Sequence, residues 1–561
     1  MQPPPDLPAS EPLATVLSPD GQGAAPLPQL KDLQTRFLDP FVFERHQFEE
    51  VAKAVRSVTI ATRQGESTPL WKCAEPDRLY SEPHHLYKDE LLDHVVSFLF
   101  PDVGAKGCGY FKVADAVANK WFHGTEVKLG GGVRMPVEIV PGPLIELFLT
   151  PQGVGVLSIA LTPAKDGLSL DEALDFNYRV AQFRRRPITR FRKRHPSDDP
   201  PAYARLSPEL QAGIPLAPAE DAPLDHRLGA PGGSFDLTEL IGLVLGPLER
   251  FGMPPLRPKH QELLVYTVAR FGPEVHFASP ALRDRLAPLL AALAQVEEPG
   301  HPGTAAADLS LANGVLNTRH WAAVGLLGAA HLVADQPGDV AFNEQRMAIV
   351  RDKYFIPYLV ALLQRLALNL AIAEAGRIVA ARGEDAAARL ERLRADLLEF
   401  GVGGHFTQVS ARQALHRSYQ IARAGLDVPE AWAEVRRAIA DLDAQAAAEG
   451  QARLARTAAR DLAVVTRLQE FLHVIEFLIV SVYHAHLWHM FAAENEPLKQ
   501  WAGRALGLDG DWFVSLGVLA SAFIGLGVAA MLNRLLGHTV GGHGPAPIGA
   551  GPPAPAGGEK G

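Results

Sequence analysis

Trp512–Leu532 reads WFVSLGVLASAFIGLGVAAML, 21 residues without a charge. A helix of that length crosses the roughly 30 Å hydrocarbon core of a bilayer. Upstream, Phe471–Phe491 is a second apolar stretch, broken by Glu476 and by His473, His484, His486 and His489. An uncharged helix preceded by a polar-striped one predicts a C-terminal two-helix transmembrane hairpin. Its parts are a first membrane helix over 471–491, an extracytosolic loop over 492–511 and a second membrane helix over 512–535. Gly517, Ser521, Gly525 and Gly527 are small residues suited to close helix packing inside a membrane.

The charges around these helices predict a topology. Arg453, Arg456, Arg460 and Arg467 precede the first stretch, and Arg534 follows the second. The loop between carries Glu494, Glu496, Asp509 and Asp511 against Lys499 and Arg504. Positive residues on both outer flanks place both termini in the cytosol, and Trp488, Trp501 and Trp512 suit an aromatic belt at the far interface. The expectation is a multi-pass protein of a bacterial-type inner membrane with a large cytosolic N-terminal part. The alternative is a single span over 512–532, with 471–491 a soluble or interfacial helix. The chain is then a membrane-tethered sensor or defence effector without transport activity.

At 100° per residue, Gln469, His473, Glu476, Val480, Tyr483 and Leu487 fall within about 80° of one another. A carboxylate facing lipid costs several kcal/mol, so this stripe must face protein or water. In a symmetric oligomer the stripes meet on the axis and Glu476 forms a ring that attracts cations. His473, Glu476, Val480, Tyr483 and Leu487 are therefore the expected pore-lining residues. The plainer reading is that Glu476 pairs with a neighbouring arginine. His486, His489, Glu494 and Glu496 offer imidazole and carboxylate groups that suit a transition metal, although interfacial histidines more often make ordinary hydrogen bonds.

Composition narrows the classes. The chain has 561 residues, 47% of them hydrophobic, and a formal net charge of −9. Without a global basic field, DNA or RNA binding is not expected. Two cysteines, Cys73 and Cys108, exclude a disulfide framework and suggest reduced thiols. The N-terminus lacks a basic n-region and an apolar h-region, so no cleavable signal is expected. No Ser-His-Asp, metalloprotease or kinase pattern stands out, and the chain reads as a non-enzyme.

The rest divides by pattern. Residues 1–30 and 536–561 are rich in Pro, Ala and Gly and read as a disordered N-terminus and tail. Residues 31–345 read as a cytosolic α/β domain with a Pro-rich insertion near 196–235. SVTIATR (57–63) suggests a strand and YKDELLDHVVSFLF (87–100) a helix. LIELFLT (144–150) and VGVLSIALT (154–162) flank Pro151-Gln152-Gly153 and suggest a hairpin. Ser169 and Glu172 form a capping-box pattern. WAAVGLLGAAHLVA (321–334) is too short to span a membrane and reads as a buried core element. Residues 346–470 form an α-helical stalk region. Within it, YFIPYLVALLQRLALNLAIAEAG (354–376) is apolar but carries Gln364, Arg365, Asn369 and Glu374, which favours a buried helix over a span. A last long helix from near 450 runs unbroken into 471. Gly130-Gly131-Gly132 reads as a hairpin or loop.

A basic run with interleaved Phe183 and Phe191 follows the capped helix. Arg184, Arg185, Arg186, Arg190 and Arg192 are its candidates for binding an anion or nucleotide, because guanidinium forks hold phosphates bidentately. The same groups suit anionic lipid, and the plainer reading is a solvated loop flank.

The whole layout resembles the CorA-type divalent-cation channel superfamily. It shares a large α/β domain, a helical layer, a long stalk helix entering the membrane, a short acidic loop and a second C-terminal helix. That family's first membrane helix ends in Tyr-Gly-Met-Asn. Here Tyr483, or Trp488-His489-Met490-Phe491, stands in that place, and neither register has the Gly-Met-Asn. Glu494-Asn495-Glu496-Pro497-Leu498 is similar to the acidic, proline-containing loop that follows the signature. The resemblance covers about 450–535. It implies a homopentamer in membrane lipid, with magnesium or a transition metal as the transported or regulatory divalent cation. A CRISPR-associated branch of the family further implies a nucleotide ligand.

Overall fold

The computed structural model describes residues 28–61, 67–73, 90–99, 109–129, 134–139, 145–165, 167–183, 189–198, 201, 204–205, 207–212, 217–219, 222, 224–252, 263–298, 311–380, 384–507 and 509–540. The chain forms two compact units, Met1–Asp443 and Ala444–Gly561. The division falls inside the stretch read as a helical stalk. Expectations for residues 1–27, Arg184–Arg186, the Gly130 triplet, Cys108 and residues 541–561 lie outside the described residues.

The first unit is built on a mixed sheet. Its strands are β1 (Leu30–Val42), β2 (Thr59–Ala61), β3 (Ser67–Pro69), β4 (Trp71–Cys73), β5 (Tyr110–Val113), β6 (Thr125–Lys128), β7 (Arg134–Ile139) and β8 (Ile145–Leu149). They continue with β9 (Val154–Pro163), β10 (Phe191–Lys193), β11 (Ser234–Phe235), β12 (Leu264–Phe271), β13 (Ala312–Asn317), β14 (His320–Val324) and β15 (Gly328–Ala334). β2 and β3 pair only with each other; the rest join one sheet. β1 lies at its centre, antiparallel to β12 on one edge and to β9 on the other. β12 and β15 run parallel, and β14 and β13 extend that side antiparallel. The far edge of β9 is shared: β8 takes Gly155–Ile159 and β7 takes Leu161–Pro163. The sheet therefore forks into an arm β8–β5–β4 and an arm β7–β6–β10–β11.

Both faces of the sheet are covered. Along β1, Phe37 and Leu38 point to opposite faces and both are fully buried. Phe37 packs in a core shared with α1 (Leu170–Ala181) and α2 (Pro280–Gln295), whereas Leu38 packs in a second core with α3 (Val340–Asp352) and α4 (Phe355–Ala380). α5 (Glu384–Gly403), α6 (Gln413–Gly425) and the start of α7 (Val428–Glu494) join the second core through Leu393, Tyr419 and Val435.

Several local expectations hold for physical reasons visible in the coordinates. Ser169 accepts the Glu172 amide while the Glu172 carboxylate accepts the Ser169 amide, which satisfies two orphan donors at the α1 start. β8 and β9 form the expected hairpin, and Gly153 takes φ +81° at its turn. The run 321–334 is buried as expected and is divided between β14 and β15. Among the described residues, the helix expected over 87–100 covers Asp93–Leu99, and the strand expected at 57–63 covers Thr59–Ala61. The Pro-rich stretch 196–235 contains short helices and ends in β11, which joins the sheet.

The second unit is helical. α7 is a single helix that begins at Val428, well before the long helix expected from near 450, and its 67 residues give it a length of about 100 Å. The predicted loop over 492–511 holds a helix, α8 (Glu496–Leu506), which Asn495 caps by accepting the Leu498 amide. α9 (Gly510–Val540) follows. Among the described residues two helical stretches are long and apolar enough to cross a membrane, Val340–Ala380 and Gly510–Val528. The first is 72% buried inside its own unit and the second 6%.

Candidate functional site

The C-terminal part of α7 has two distinct faces. One packs on α9 through small residues. A Cβ on Gly525 would lie 2.7 Å from Ser481 Oγ, and one on Gly517 would lie 1.8 Å from the Trp488 indole nitrogen. The Trp488 and Phe513 rings sit 6.0 Å apart, and Ala492 is fully buried. Residue 481 against 525 and 488 against 517 define an antiparallel pair in close contact. Ser481 Oγ and Trp488 Nε1 are buried without a hydrogen-bond partner among the described residues.

The predicted polar stripe lies on another face. At 100° per residue its centre is about 110° from the face formed by Phe477, Ser481, Trp488 and Ala492. His473, Glu476, Val480, Tyr483 and Leu487 are all exposed on the single chain. His473 Nδ1 lies 3.6 Å from Glu476 Oε2, with the Glu476 side chain 76% exposed. No arginine neighbours Glu476 among the described ion pairs. The surrounding surface is apolar and equally open, with Phe471, Ile479 and Val482 on α7 and Leu519, Phe523 and Ile524 on α9 more than half exposed. A patch of this extent is outside the range of a water-facing monomer surface.

The predicted metal set does not assemble within one chain. Among the described residues no group of three or more His, Cys, Asp or Glu side chains is placed to hold a metal ion. His486, His489, Glu494 and Glu496 thus stay apart, and His484 Nδ1 is 3.1 Å from the Val480 carbonyl oxygen.

In the first unit, buried charges form a closed network. Arg36, 2% exposed, donates from Nη2 to Asp352 Oδ1 at 2.7 Å and from Nη1 to Glu146, which also accepts the Tyr110 hydroxyl. Arg351 donates to both Asp352 oxygens. Burial raises the Asp352 carboxyl, but the Arg351 bonds and the charges of Arg351 and Arg36 outweigh it and hold that pKa below its ordinary value. These groups tie β1, β5 and β8 to α3 and have no opening for a ligand in the described structure.

Of the predicted anion set, Arg190 and Arg192 are described, and both line a cavity of about 290 Å³. Lys128 and Arg134 line it as well. Sequence reading missed both, because the pairing of β7 with β6 and of β6 with β10 brings them there.

No protein-family model, curated protein or solved structure matches the chain.

Proposed function

We propose that the chain is a membrane-anchored homo-oligomer that forms a cation pathway, with the α7 stripe toward the symmetry axis and the first unit controlling the pathway from the cytosolic side. The observation that carries this reading is the division of α7 into two faces. α9 covers the Ser481–Trp488 face, and the His473–Glu476–Tyr483 stripe is left open within otherwise lipid-compatible surface. A single hairpin in a bilayer would expose the Glu476 carboxylate to hydrocarbon at a cost of several kcal/mol. Copies of the same stripe around an axis remove that cost by giving Glu476 a watered, cation-attracting ring.

In this reading Glu476 concentrates cations, and Tyr483 and Leu487 narrow the path beyond it. The resemblance to CorA-type channels suggests a divalent ion. The altered signature at Tyr483–Phe491 leaves the ion itself to measurement. A ligand in the first unit would act by binding two packings of the long helix unequally.

Flux through proteoliposomes carrying the full chain tests this. Glu476→Gln is expected to cut divalent-cation flux at least fivefold while the protein remains oligomeric in detergent. Equal flux in both proteins, or a reporter fused after Gly561 that proves extracytosolic, would sink the pathway. The second result would favour the single-span tethered sensor.

A further inference from the structure

The outer face of the β7–β6–β10 arm carries charge that the fold itself does not need. Residues of one parity, Met135 and Val137 on β7, Val127 on β6 and Phe191 on β10, are buried in the core. The other parity points outward. There Lys128 stands directly opposite Arg134, and Glu126 directly opposite Arg192. Like charges directly opposite across two strands destabilise a hairpin. Lys128 and Arg134 make no contact ion pair among the described residues; Asp198, held by Arg192, feels the Arg134 charge from further off.

These side chains line the 290 Å³ cavity together with Arg190, Pro218, Gly232 and Ser234. Glu126 is the one carboxylate in its described lining, and Arg194 already engages it, with Nε 2.9 Å from Oε1. Asp198 accepts from Arg192 Nη2 at 3.0 Å and from the His195 amide at 2.8 Å. Glu239 lies within the field of Arg190 but accepts from Arg227. Among the described lining residues, four cations (Lys128, Arg134, Arg190 and Arg192) accompany one carboxylate, Glu126. The excess of three positive charges stands out in a chain whose net charge is −9. Gly232, at φ +75°, closes the wall: a Cβ there would meet Ala217 at 2.7 Å. The volume is near the lower end of small-molecule pockets, about 300–1,000 Å³.

We propose that this cavity binds a small molecule bearing two or more phosphate groups, held by Lys128, Arg134, Arg190 and Arg192. Arginine forks take phosphate oxygens in pairs, and lysine supplies a point charge. The bound anion neutralises the Lys128–Arg134 repulsion, so binding also stiffens the hairpin. The inference does not depend on the membrane reading, because every residue in it belongs to the first unit.

The test uses the full chain in a neutral detergent, titrated calorimetrically with pyrophosphate. Saturable binding of one pyrophosphate per chain is expected, weakening steeply between low and high salt. Lys128→Gln with Arg134→Gln is expected to weaken it at least tenfold. Removing the repulsion should leave the melting temperature of the ligand-free protein unchanged or raised, which separates lost binding from lost folding. Pyrophosphate should raise the melting temperature of the original protein only. Absence of saturable binding, or equal binding by the double variant, overturns the proposal. So does binding to phosphatidate vesicles without binding to pyrophosphate, which would make the face a lipid-headgroup contact.

Discussion

Two apolar helices of this chain have equal mean hydropathy and opposite surroundings. The 340–380 stretch is 72% buried in its own unit, whereas 510–528 is 6% buried. The difference is written in the polar residues that each carries. On α4, Gln364 donates to the Gly404 carbonyl at 2.8 Å and has the Tyr419 hydroxyl 2.9 Å from its Oε1. Arg365 donates to the Asp427 carbonyl at 2.9 Å, and Glu374 takes Arg389 at 2.8 Å. Gln364, Arg365 and Glu374 each have a specific partner on a neighbouring segment, which holds the apolar remainder in a core shaped around them. The 512–532 stretch has no charged residue and offers Gly517 and Gly525 to Trp488 and Ser481 of α7. Apolar content alone thus fails to separate a core helix from a membrane-compatible one. What separates them is whether the polar side chains have fixed protein partners.

The largest effect that tests this contrast comes from one carboxylate placed in each helix. Leu359→Asp buries an unpaired charge at a fully buried position and is expected to cost several kcal/mol, enough to prevent the first unit from folding. Phe523→Asp, at a position 71% exposed on the single chain, should leave the melting of that unit unchanged. It should instead weaken membrane insertion by roughly 2.5–3.5 kcal/mol if the helix spans. Melting curves and carbonate extraction read the two effects separately. A Phe523→Asp protein whose first unit melts as early as Leu359→Asp would break the contrast, since α9 would then depend on protein packing.

A smaller effect sharpens it within the hairpin. Gly517→Leu forces side-chain atoms into the Trp488 indole and is expected to cost about 1–3 kcal/mol of helix pairing. Gly527 has open space at its Cβ, so Gly527→Leu is the control and should cost almost nothing. Oxidative cross-linking between Ser481→Cys and Gly525→Cys reports the pairing. Loss of the cross-link in the Gly517 background alone is the expected outcome. Loss in both backgrounds would mean that α9 rotates freely against α7.

How much of this was legible in the sequence follows from the range of the interactions. The Ser169 cap and the Pro151–Gly153 turn involve residues a few positions apart, and their chemistry is local. The stripe from His473 to Leu487 follows from helical periodicity alone. The run 321–334 was legible as core but gave no sign of two strands. Both its faces are buried, so no alternation appears, and its turn lacks the Asn-Gly type of signal. The partners of Arg36 lie 110 and 316 residues away, and the meeting of Lys128 with Arg192 depends on β6 pairing with β10. Periodicity carries no information on such pairings. In the proposed oligomer, the face that the stripe meets belongs to another copy and lies beyond any single-chain reading.

The last contrast concerns pH dependence in the first region. His320 Nε2 and His331 Nδ1 lie 2.8 Å apart, fully buried, and the His331 ring packs on Tyr266, which in turn packs on Phe355 and Tyr358 of α4. Burial pushes His331 down to about 3. Burial also holds His320 well below its usual value, and neighbouring His331 and the Arg346 charge act in the same direction. In the unfolded chain both rings take up protons near pH 6.5, so between there and about pH 3 the unfolded state binds more protons than the folded one. Stability therefore falls as pH drops through this window, by up to about 1.4 kcal/mol per pH unit for each ring. Above pH 7 the two rings contribute no slope. His331→Gln should flatten the acid limb of the first unit's melting curve even where it lowers the neutral melting temperature. The uncharged 512–532 helix has no group that titrates in this range, so the protein should stay in the membrane pellet after a wash at pH 5. If acid releases it from the membrane as readily as it unfolds the first unit, the two helices share one environment and the contrast between them is lost.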